Sequence, residues 1–261
     1  MIKRFINDLK KYIHYAVRAT KADLKTEVSN SYLNWIWWVL QPICFMLIYV
    51  LVFGVFFGMK ENYIACFVFM GITIWNFFNN TIKASVKIVR ANKSVISKVY
   101  LPKFILILVE MMTNGFKMAI SFLIIIVLMI IYGVPLSWNI FMIIPILIIL
   151  FLFTYAISCF LMHFGVYVTD LKNIVDIVLR LLFYLTGVFY NIMKRIPDPY
   201  NEWLVRLNPI AMIIYGFRQS VLNSQMPDLL MLGIWFVVSL LLAAWGTYVV
   251  YKNENSYIKS V

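Results

Sequence analysis

The chain has 261 residues, of which 63% are hydrophobic and only 13% are charged. Soluble globular domains are about half apolar and about a quarter charged, so this composition excludes an ordinary soluble domain. A mean hydropathy of +0.87 agrees with a polytopic membrane protein, and the predicted fold class is an all-α membrane protein. The formal net charge of +12 raises the alternative of nucleic-acid binding, but no basic stretch belongs to a recognisable nucleic-acid-binding module.

Residues 1–30 are predicted to form an amphipathic helix. Between residues 3 and 28, apolar side chains recur at helical spacing on one face, while Lys, Arg, Asn and His share the other face. A basic helix of this kind lies along the membrane interface rather than crossing the bilayer. Two roles stay open for it, namely simple anchoring to lipid and bracing of a cytoplasmic partner.

The stretch SYLNWIWWVLQPI, at 31–43, collects three of the eight tryptophans where a polar segment gives way to an apolar run. Indole rings have an apolar body and a polar tip, and they settle at the depth of the lipid head groups. The stretch therefore predicts the start of the first membrane span.

Six apolar segments come near the length of about 20 residues that a membrane span needs. They are predicted to form one bundle over 38–251, within a single transmembrane domain, 1–261. The third segment would be about 43 Å long as one helix, so its first part is predicted to be interfacial or tilted. The predicted spans are 38–58, 63–82, a third ending at Tyr132 and beginning between Phe104 and Phe116, about 140–166, 174–193 and 229–251.

The segment 83–103 is too long for a simple turn and too basic for the bilayer. Its first part, 84–99, is predicted to form one or two short helices. Leu101 and Pro102 then predict an extended joint, because the residue before proline disfavours helix. The segment is interpreted as a docking surface, with a solvated connector as the alternative.

The segment 194–228 is interrupted by three prolines and carries two apolar patches that are too short to span a bilayer. This pattern predicts two short helices that dip into the outer leaflet around Asn208 and Pro209. Non-helical backbone at that depth must be covered by protein or line a wet cavity. A folded outer cap is the alternative.

The basic residues predict the orientation. Of the 23 Lys and Arg residues, 16 lie on the side of both predicted termini and five lie on the opposite side. Basic residues favour the cytoplasmic side of a membrane. Both termini are therefore predicted to be cytoplasmic.

Charged residues within the spans each need a partner or a function. Glu110, Asn114 and Lys117 share one helix face, and Asp176 and Arg180 are four residues apart. Mutual pairing, within or between these helices, is predicted for them, with a proton relay as the alternative. No Ser-His-Asp order, HExxH motif or acidic metal cluster is present, so no catalytic or metal site is predicted. The motif GxxxxGK[ST] is also absent, so any ATP that drives this protein is bound by another chain.

Several motifs follow one another in a recognisable order. YLNWIWWVLQP runs from Tyr32 to Pro42 and has Asn34 as its third residue. SKVYLPKFIL lies at 97–106, and TDL lies at 169–171. The outer segment then supplies Asn208, Pro209 and Arg218.

This order resembles the permease subunits of type-2 ABC exporters for cell-surface polysaccharide, which include O-antigen, capsule, rhamnan and teichoic acid transporters. The family motif YLGxLWxxLxP has glycine where this chain has Asn34. A KxxxPK/R element ends the cytoplasmic loop of the family, and many members carry RDL where TDL stands here. An NP…R element marks the outer re-entrant half-helices of the family.

The resemblance implies a homodimer of this chain bound to two ABC ATPase subunits, which bind the ATP and Mg. It also implies contact with membrane lipid and a lipid-linked polysaccharide substrate, in the plasma or inner membrane of a bacterium. The N-terminal helix would lie over the ATPase. A coupling helix would occupy the cytoplasmic loop at Val89, Arg90, Ala91, Asn92, Lys93, Ser94 and Val95.

The resemblance further implies that spans one and five of two copies form a conduit. Aromatic side chains recur in both spans, and aromatic faces can stack on the apolar faces of sugar rings without using charge. Packing or lipid contact is the alternative role for these side chains. The predicted conduit residues are Tyr32, Trp35, Trp38, Phe45, Tyr49, Phe53, Phe183, Tyr184 and Tyr190.

Three other functions stay open. An exporter of a small lipid or drug would share the fold. A membrane-embedded transferase acting on lipid-linked sugar would need a catalytic carboxylate or His near the interface, where Asp170 and Asp176 are the candidates. A scaffold subunit would not stimulate its ATPase partner.

Overall fold

The computed structural model describes residues 2–29, 32–58 and 61–259, and within these ranges the chain is helical with no strand. The predicted all-α fold class is confirmed. The helices are α1 (Ile2–Ser29), α2 (Trp37–Tyr49, continued by a π-helix over Val50–Phe56), α3 (Ile64–Ala91), α4 (Lys93–Ile96), α5 (Lys103–Ile131), α6 (Ile143–Tyr167), α7 (Leu171–Leu185), α8 (Ile192–Arg195), α9 (Tyr200–Leu207), α10 (Pro209–Val221) and α11 (Leu229–Lys259).

Five helical stretches of the described chain are long and apolar enough to cross a membrane, and they match the predicted first, second, third, fourth and sixth spans. The predicted fifth span, 174–193, is different. The chain here forms α7, whose 15 residues cover about 22 Å, less than a hydrocarbon core of about 30 Å. The count of six spans therefore stays a prediction. The five stretches are Trp37–Phe56, Ile64–Ala91, Lys103–Ile131, Trp138–Tyr167 and Leu229–Tyr257.

The central helix of the bundle is α3, which is apolar on most of its surface and largely buried. A helix that is apolar all round is a core helix. It packs against α2, α5, α6, α7 and α10. Its closest approach to α6 is at Gly165, where an added Cβ would collide with the backbone carbonyl oxygen of Val86. Small residues at such crossings let two membrane helices come into backbone contact.

The N-terminal helix α1 forms as predicted and packs along the first half of α5. The Phe5 and Phe104 rings lie 4.8 Å apart between centroids. Further along, the Thr20 hydroxyl donates to the carbonyl of Val109 at 3.4 Å. Helix α5 runs without a break from Lys103 to Ile131, and its first turns are buried under α1. An interfacial or tilted position for this first part stays a prediction.

The first turn of α1 and the last turns of α11 lie at the same end of the bundle, which we call the basic end. The Arg4 guanidinium contacts the Glu254 carboxylate at 2.5 Å and the Tyr100 hydroxyl at 2.9 Å. The Glu254 carboxylate raises the pKa of Arg4, which keeps it charged. The Tyr251 hydroxyl donates to Asp8 at 2.8 Å. These contacts join α1, the joint before α5, and α11.

The segment 83–103 is helical over much of 84–99 as predicted, but its first part continues α3 instead of forming a separate short helix. Helix α3 continues to Ala91, so 83–91 is its last part, and only the four-residue α4 follows. Polar side chains mark these last turns of α3 as leaving the apolar core, but they do not end the helix. The predicted extended joint is confirmed at Pro102, which has φ −57° and ψ 126°.

The charged side chains in the spans pair across helices, and one partner differs from the local spacing. Asp176 of α7 pairs with Lys83 of α3 at 3.2 Å rather than with Arg180. Lys117 of α5 pairs with Glu27 of α1 at 2.6 Å. Within α5, the Asn114 amide donates to Glu110 at 2.9 Å. Mutual pairing within the predicted set is therefore confirmed for Glu110 and Asn114, whereas Asp176 and Lys117 take partners outside that set.

Candidate functional site

Aromatic side chains from the first span and from the end of α7 form one cluster around Phe189. The Phe189 ring lies 4.1 Å from the Tyr49 ring and 4.9 Å from the Phe53 ring, which is nearly parallel to it. The Phe183 ring meets Phe189 edge-on at 4.8 Å. Offset and edge-on arrangements at these distances are favourable for aromatic pairs. Predicted conduit residues of the first span, Tyr49 and Phe53, thus share one cluster with Phe183 of α7 within a single chain.

The backbone turn after α7 places this cluster. Gly187 has φ +63°, a left-handed conformation that favours glycine. The Tyr190 hydroxyl reaches back and donates to the carbonyl oxygen of Tyr184 at 2.7 Å. The chain therefore reverses over a few residues and returns Phe189 and Tyr190 toward α2.

One face of this cluster is open. Phe189 is buried, whereas Tyr184 is 66% exposed and Phe45 is 42% exposed. The whole first span lies largely on the surface of the single chain. The Phe53 ring belongs to the π-helical continuation of α2, and wide turns of this kind are frequent at functional sites. We call the face formed by Phe45, Tyr49, Phe53, Phe183, Tyr184 and Phe189 the aromatic wall.

Three predicted conduit residues lie elsewhere. Tyr32 and Trp35 are exposed before the start of α2, away from the cluster. Trp38 packs edge-on against Phe116 of α5, with 5.7 Å between centroids. The structure therefore separates the aromatic start of the first span from the aromatic wall formed with α7.

The predicted coupling residues occupy the last turn of α3 and the short α4, at the basic end. Ala91 and Ser94 are exposed, whereas Val89 is buried in the core. The Arg90 guanidinium donates to the carbonyl oxygen of Val166 at 3.0 Å, which ties this turn to the end of α6. Ile96 is buried and anchors α4. The exposed side chains between these anchors form a ridge that another protein can contact.

In the outer segment, two short helices, α9 and α10, meet at Asn208 as predicted. The Asn208 side-chain oxygen accepts hydrogen bonds from the backbone N–H groups of Ile210 and Ala211 at 3.1 and 3.3 Å. Pro209 occupies the first helical position, where its missing N–H costs nothing. Helix α10 is buried along almost its whole length. Its dip into the outer leaflet stays a prediction.

Arg218 of α10 is the most connected side chain of this segment. Its guanidinium is buried and donates to the backbone carbonyls of Phe67, Gly187 and Val188 at 2.6 to 3.0 Å. It also lies over the Phe67 ring at 3.5 Å. An added Cβ at Gly71 would lie 2.5 Å from the guanidinium. Arg218 therefore joins α10, α3 and the turn after α7, and so positions the aromatic wall.

A family model described as ABC-2 type transporter matches residues 18–222. The chain belongs to the ABC-2 type transporter family. The O-antigen export system permease protein RfbA of Myxococcus xanthus is 24% identical over 252 residues, which cover 97% of this chain and 96% of that protein. Two proteins of the same name from Klebsiella pneumoniae are each 26% identical over 205 residues, which cover 78% of each chain. The family resemblance inferred from the motifs is confirmed.

The match to the ABC-2 type transporter family covers every feature described above from the second half of α1 to the end of α10. It includes the predicted coupling residues, the aromatic wall and the outer segment as far as Leu222. The chain is thus a multi-pass membrane protein of a transporter family.

Sequence reasoning missed two parts of this ABC-2 site. Trp75 of α3 backs the aromatic wall, with its ring 5.3 Å from the Phe183 ring, but nothing in its spacing separates it from core packing. A polar cleft beside Trp38 was also missed. Its signal was present, because Asn76 and Asn80 lie four residues apart in a largely apolar span.

Proposed function

We propose that this chain is the permease subunit of an ATP-driven exporter that moves a lipid-linked cell-surface polysaccharide across the bacterial cytoplasmic membrane. The observation that carries the proposal is similarity along nearly the full length to a permease of O-antigen export. The aromatic wall supports it, because stacked rings suit an uncharged sugar chain better than an ion.

In this proposal the basic end faces the cytoplasm, with both termini on that side, as the distribution of Lys and Arg indicates. Two ABC ATPase subunits bind ATP and Mg and dock on the ridge that includes Ala91 and Ser94. Helix α1 lies over the same subunits. Movement of the ridge passes to the core through Arg90, which holds the end of α6.

Two copies of the chain form the conduit. Each copy contributes a wall from α2 and α7, whose apolar outer faces are exposed in the single chain. The polymer slides along Phe45, Tyr49, Phe53 and Tyr184. Helices α9 and α10 close the outer end, held in place by Arg218.

Ser94→Trp should weaken docking of the ATPase. Ser94 is exposed on α4, so the indole obstructs a docked partner without entering the core. We expect ATP hydrolysis by the purified complex in lipid to fall by about tenfold, which corresponds to about 1.4 kcal/mol of lost docking free energy. Gln225→Trp, at an exposed position of the opposite end, is the matched control and should keep full hydrolysis. Equal hydrolysis by the two variants would contradict docking at α4.

Tyr184→Ala should impair transport alone, whereas Phe189→Ala should impair folding. Tyr184 is exposed at the open face, so Tyr184→Ala should lower export several-fold with an unchanged melting temperature. Phe189 is buried among three aromatic rings, so Phe189→Ala should cost about 3–5 kcal/mol of stability. Export by cells and thermal unfolding of the purified protein measure the two effects. Normal export by Tyr184→Ala would remove this residue from the conduit.

A further inference from the structure

A polar cleft of about 400 Å³ opens between α1, α2, α3 and α5. Its walls come from the first turns of α2, over 37–45, and from the middle parts of α3 and α5, over 73–80 and 114–121. It therefore extends from the aromatic start of the first span into the centre of the bundle. Its volume lies within the range of about 300–1,000 Å³ that small-molecule sites occupy.

Carboxamide side chains dominate the polar lining of the cleft. They come from α2, α3 and α5, and polar groups placed inside membrane helices are costly and by default functional. Asn114 serves the helix packing, because its amide donates to Glu110 and to Thr81. Gln41 and Asn76 differ, since neither side chain has a hydrogen-bond partner in the part of the chain that the structure describes. Both amides therefore keep donors and acceptors for a ligand.

The charges at the cleft cancel. Lys117 lines the cleft and pairs with Glu27 at 2.6 Å. A site for a phosphate would be expected to carry an excess of positive charge, and among the residues that the structure describes no other charged side chain lines this cleft. The chemistry therefore fits a neutral ligand that carries many hydroxyl groups, because each hydroxyl both donates and accepts, as a carboxamide does.

Indole rings complete this set. Trp37 and Trp38 line the cleft beside Gln41, and Trp37 is partly exposed. An aromatic ring next to free amides offers a flat apolar surface and polar contacts at its edge, which matches a pyranose. On the other side of α5 lies an apolar groove of about 940 Å³. Phe116 lines that groove and touches Trp38, so an apolar surface suited to a hydrocarbon chain adjoins the polar cleft.

We propose that this cleft binds the carbohydrate head group of a membrane amphiphile, with Gln41 and Asn76 bonding the sugar hydroxyls and Trp37 stacking on the ring. The inference rests on the proposed function and deepens it, because it gives the exporter a sugar-binding site that is separate from the aromatic wall. A lipid-linked sugar is the ligand class that carries both parts.

The test is photolabelling of the full chain in complex with its ATPase in lipid nanodiscs. The probe is dodecyl maltoside with a diazirine on its head group, and labelled peptides are mapped by mass spectrometry. Excess unlabelled dodecyl maltoside, a dodecyl polyoxyethylene detergent and free maltose are the competitors. We expect labelling over 37–45 and 73–80 that only dodecyl maltoside prevents. Equal competition by the polyoxyethylene detergent would overturn sugar recognition, and equal competition by maltose would overturn the requirement for an amphiphile.

Matched variants locate the site. Asn76→Leu and Gln41→Leu should each weaken the apparent affinity for dodecyl maltoside by about tenfold, as expected when a hydrogen bond to the ligand is lost. Asn173→Leu, on α7 and outside the cleft lining, should leave the affinity unchanged. Equal affinities for the three variants would overturn the assignment. ATP hydrolysis is measured on the same samples. Normal hydrolysis without sugar-specific labelling removes the cleft site alone, whereas sugar-specific labelling without an ATPase partner removes the proposed function.

Discussion

Arg218→Gln should leave little folded protein in the membrane. The arginine supplies the buried donors for the carbonyls of Phe67, Gly187 and Val188, and glutamine is too short and has too few donors to replace them. Each buried carbonyl left without a partner costs about 1–3 kcal/mol, so the loss of the donors to these carbonyls should cost about 3–5 kcal/mol in total. Thermal unfolding and monodisperse yield of the purified protein measure this loss.

The matched control for Arg218 is Arg206→Gln. Arg206 belongs to the same outer segment but is about half exposed, and its pairing with Glu202 at 3.2 Å is an i,i+4 contact on the helix surface. Such exposed pairs contribute less than about 1 kcal/mol, so Arg206→Gln should melt like the parent chain. Similar melting of both variants would show that Arg218 does not hold the outer segment.

The second large effect is expected from Gly165→Ala. An added methyl group collides with the backbone carbonyl of Val86, where no flexible side chain can move away. Helices α3 and α6 would have to separate, and this crossing supports the turn that carries Arg90. Overpacking of this kind typically costs about 1–3 kcal/mol, and the backbone contact puts this site at the upper end. Thermal unfolding is again the measurement.

Gly233→Ala is the control for this experiment. Gly233 also lies in a long helix, α11, but nothing lies within 4 Å of an added Cβ there. Alanine favours helix over glycine by about 1 kcal/mol, so this variant should melt at the parent temperature or slightly above it. If Gly165→Ala melts like Gly233→Ala, the close crossing of α3 and α6 is wrong.

The parts of the fold that the bilayer dictates could be predicted from the sequence. A span needs a minimum length of apolar residues, so the apolar runs beginning at Trp37 and Leu229 indicate spans without any knowledge of packing. The amphipathic pattern of α1 is equally local. The break between α9 and α10 at Asn208 and Pro209 follows from the proline, and it lies where the sequence predicts it.

Features that depend on packing between distant segments could not be predicted in this way. Asp176 has a basic residue four positions later, which made a local pair the natural interpretation, but the fold brings Lys83 of α3 closer. The sequence predicts that the second span ends at 82 and that short helices follow, yet residues 83–91 continue α3. Asp176 thus pairs with Lys83, which the sequence predicts to lie in the cytoplasmic segment 83–103 and not in a span.

The candidate site shows the same division. The aromatic residues of the first span and of α7, the two predicted conduit segments, are conspicuous in the sequence. Their contact around Phe189 agrees with the prediction that these two segments act together. The cleft is assembled from side chains on four helices, so no single stretch displays it. Amides inside apolar spans, such as Gln41 and Asn76, are the signal that identifies it.

Inside-out membrane vesicles provide the most direct test of export of a lipid-linked polysaccharide. Vesicles containing this chain and its ATPase carry the polymer on their outer, cytoplasmic face, where an added glycosidase digests it. We expect ATP to make the polymer resistant to the glycosidase, and we expect no such protection in vesicles that lack this chain or contain Ser94→Trp. Hydrolysis of ATP with the polymer remaining fully sensitive would contradict the claim.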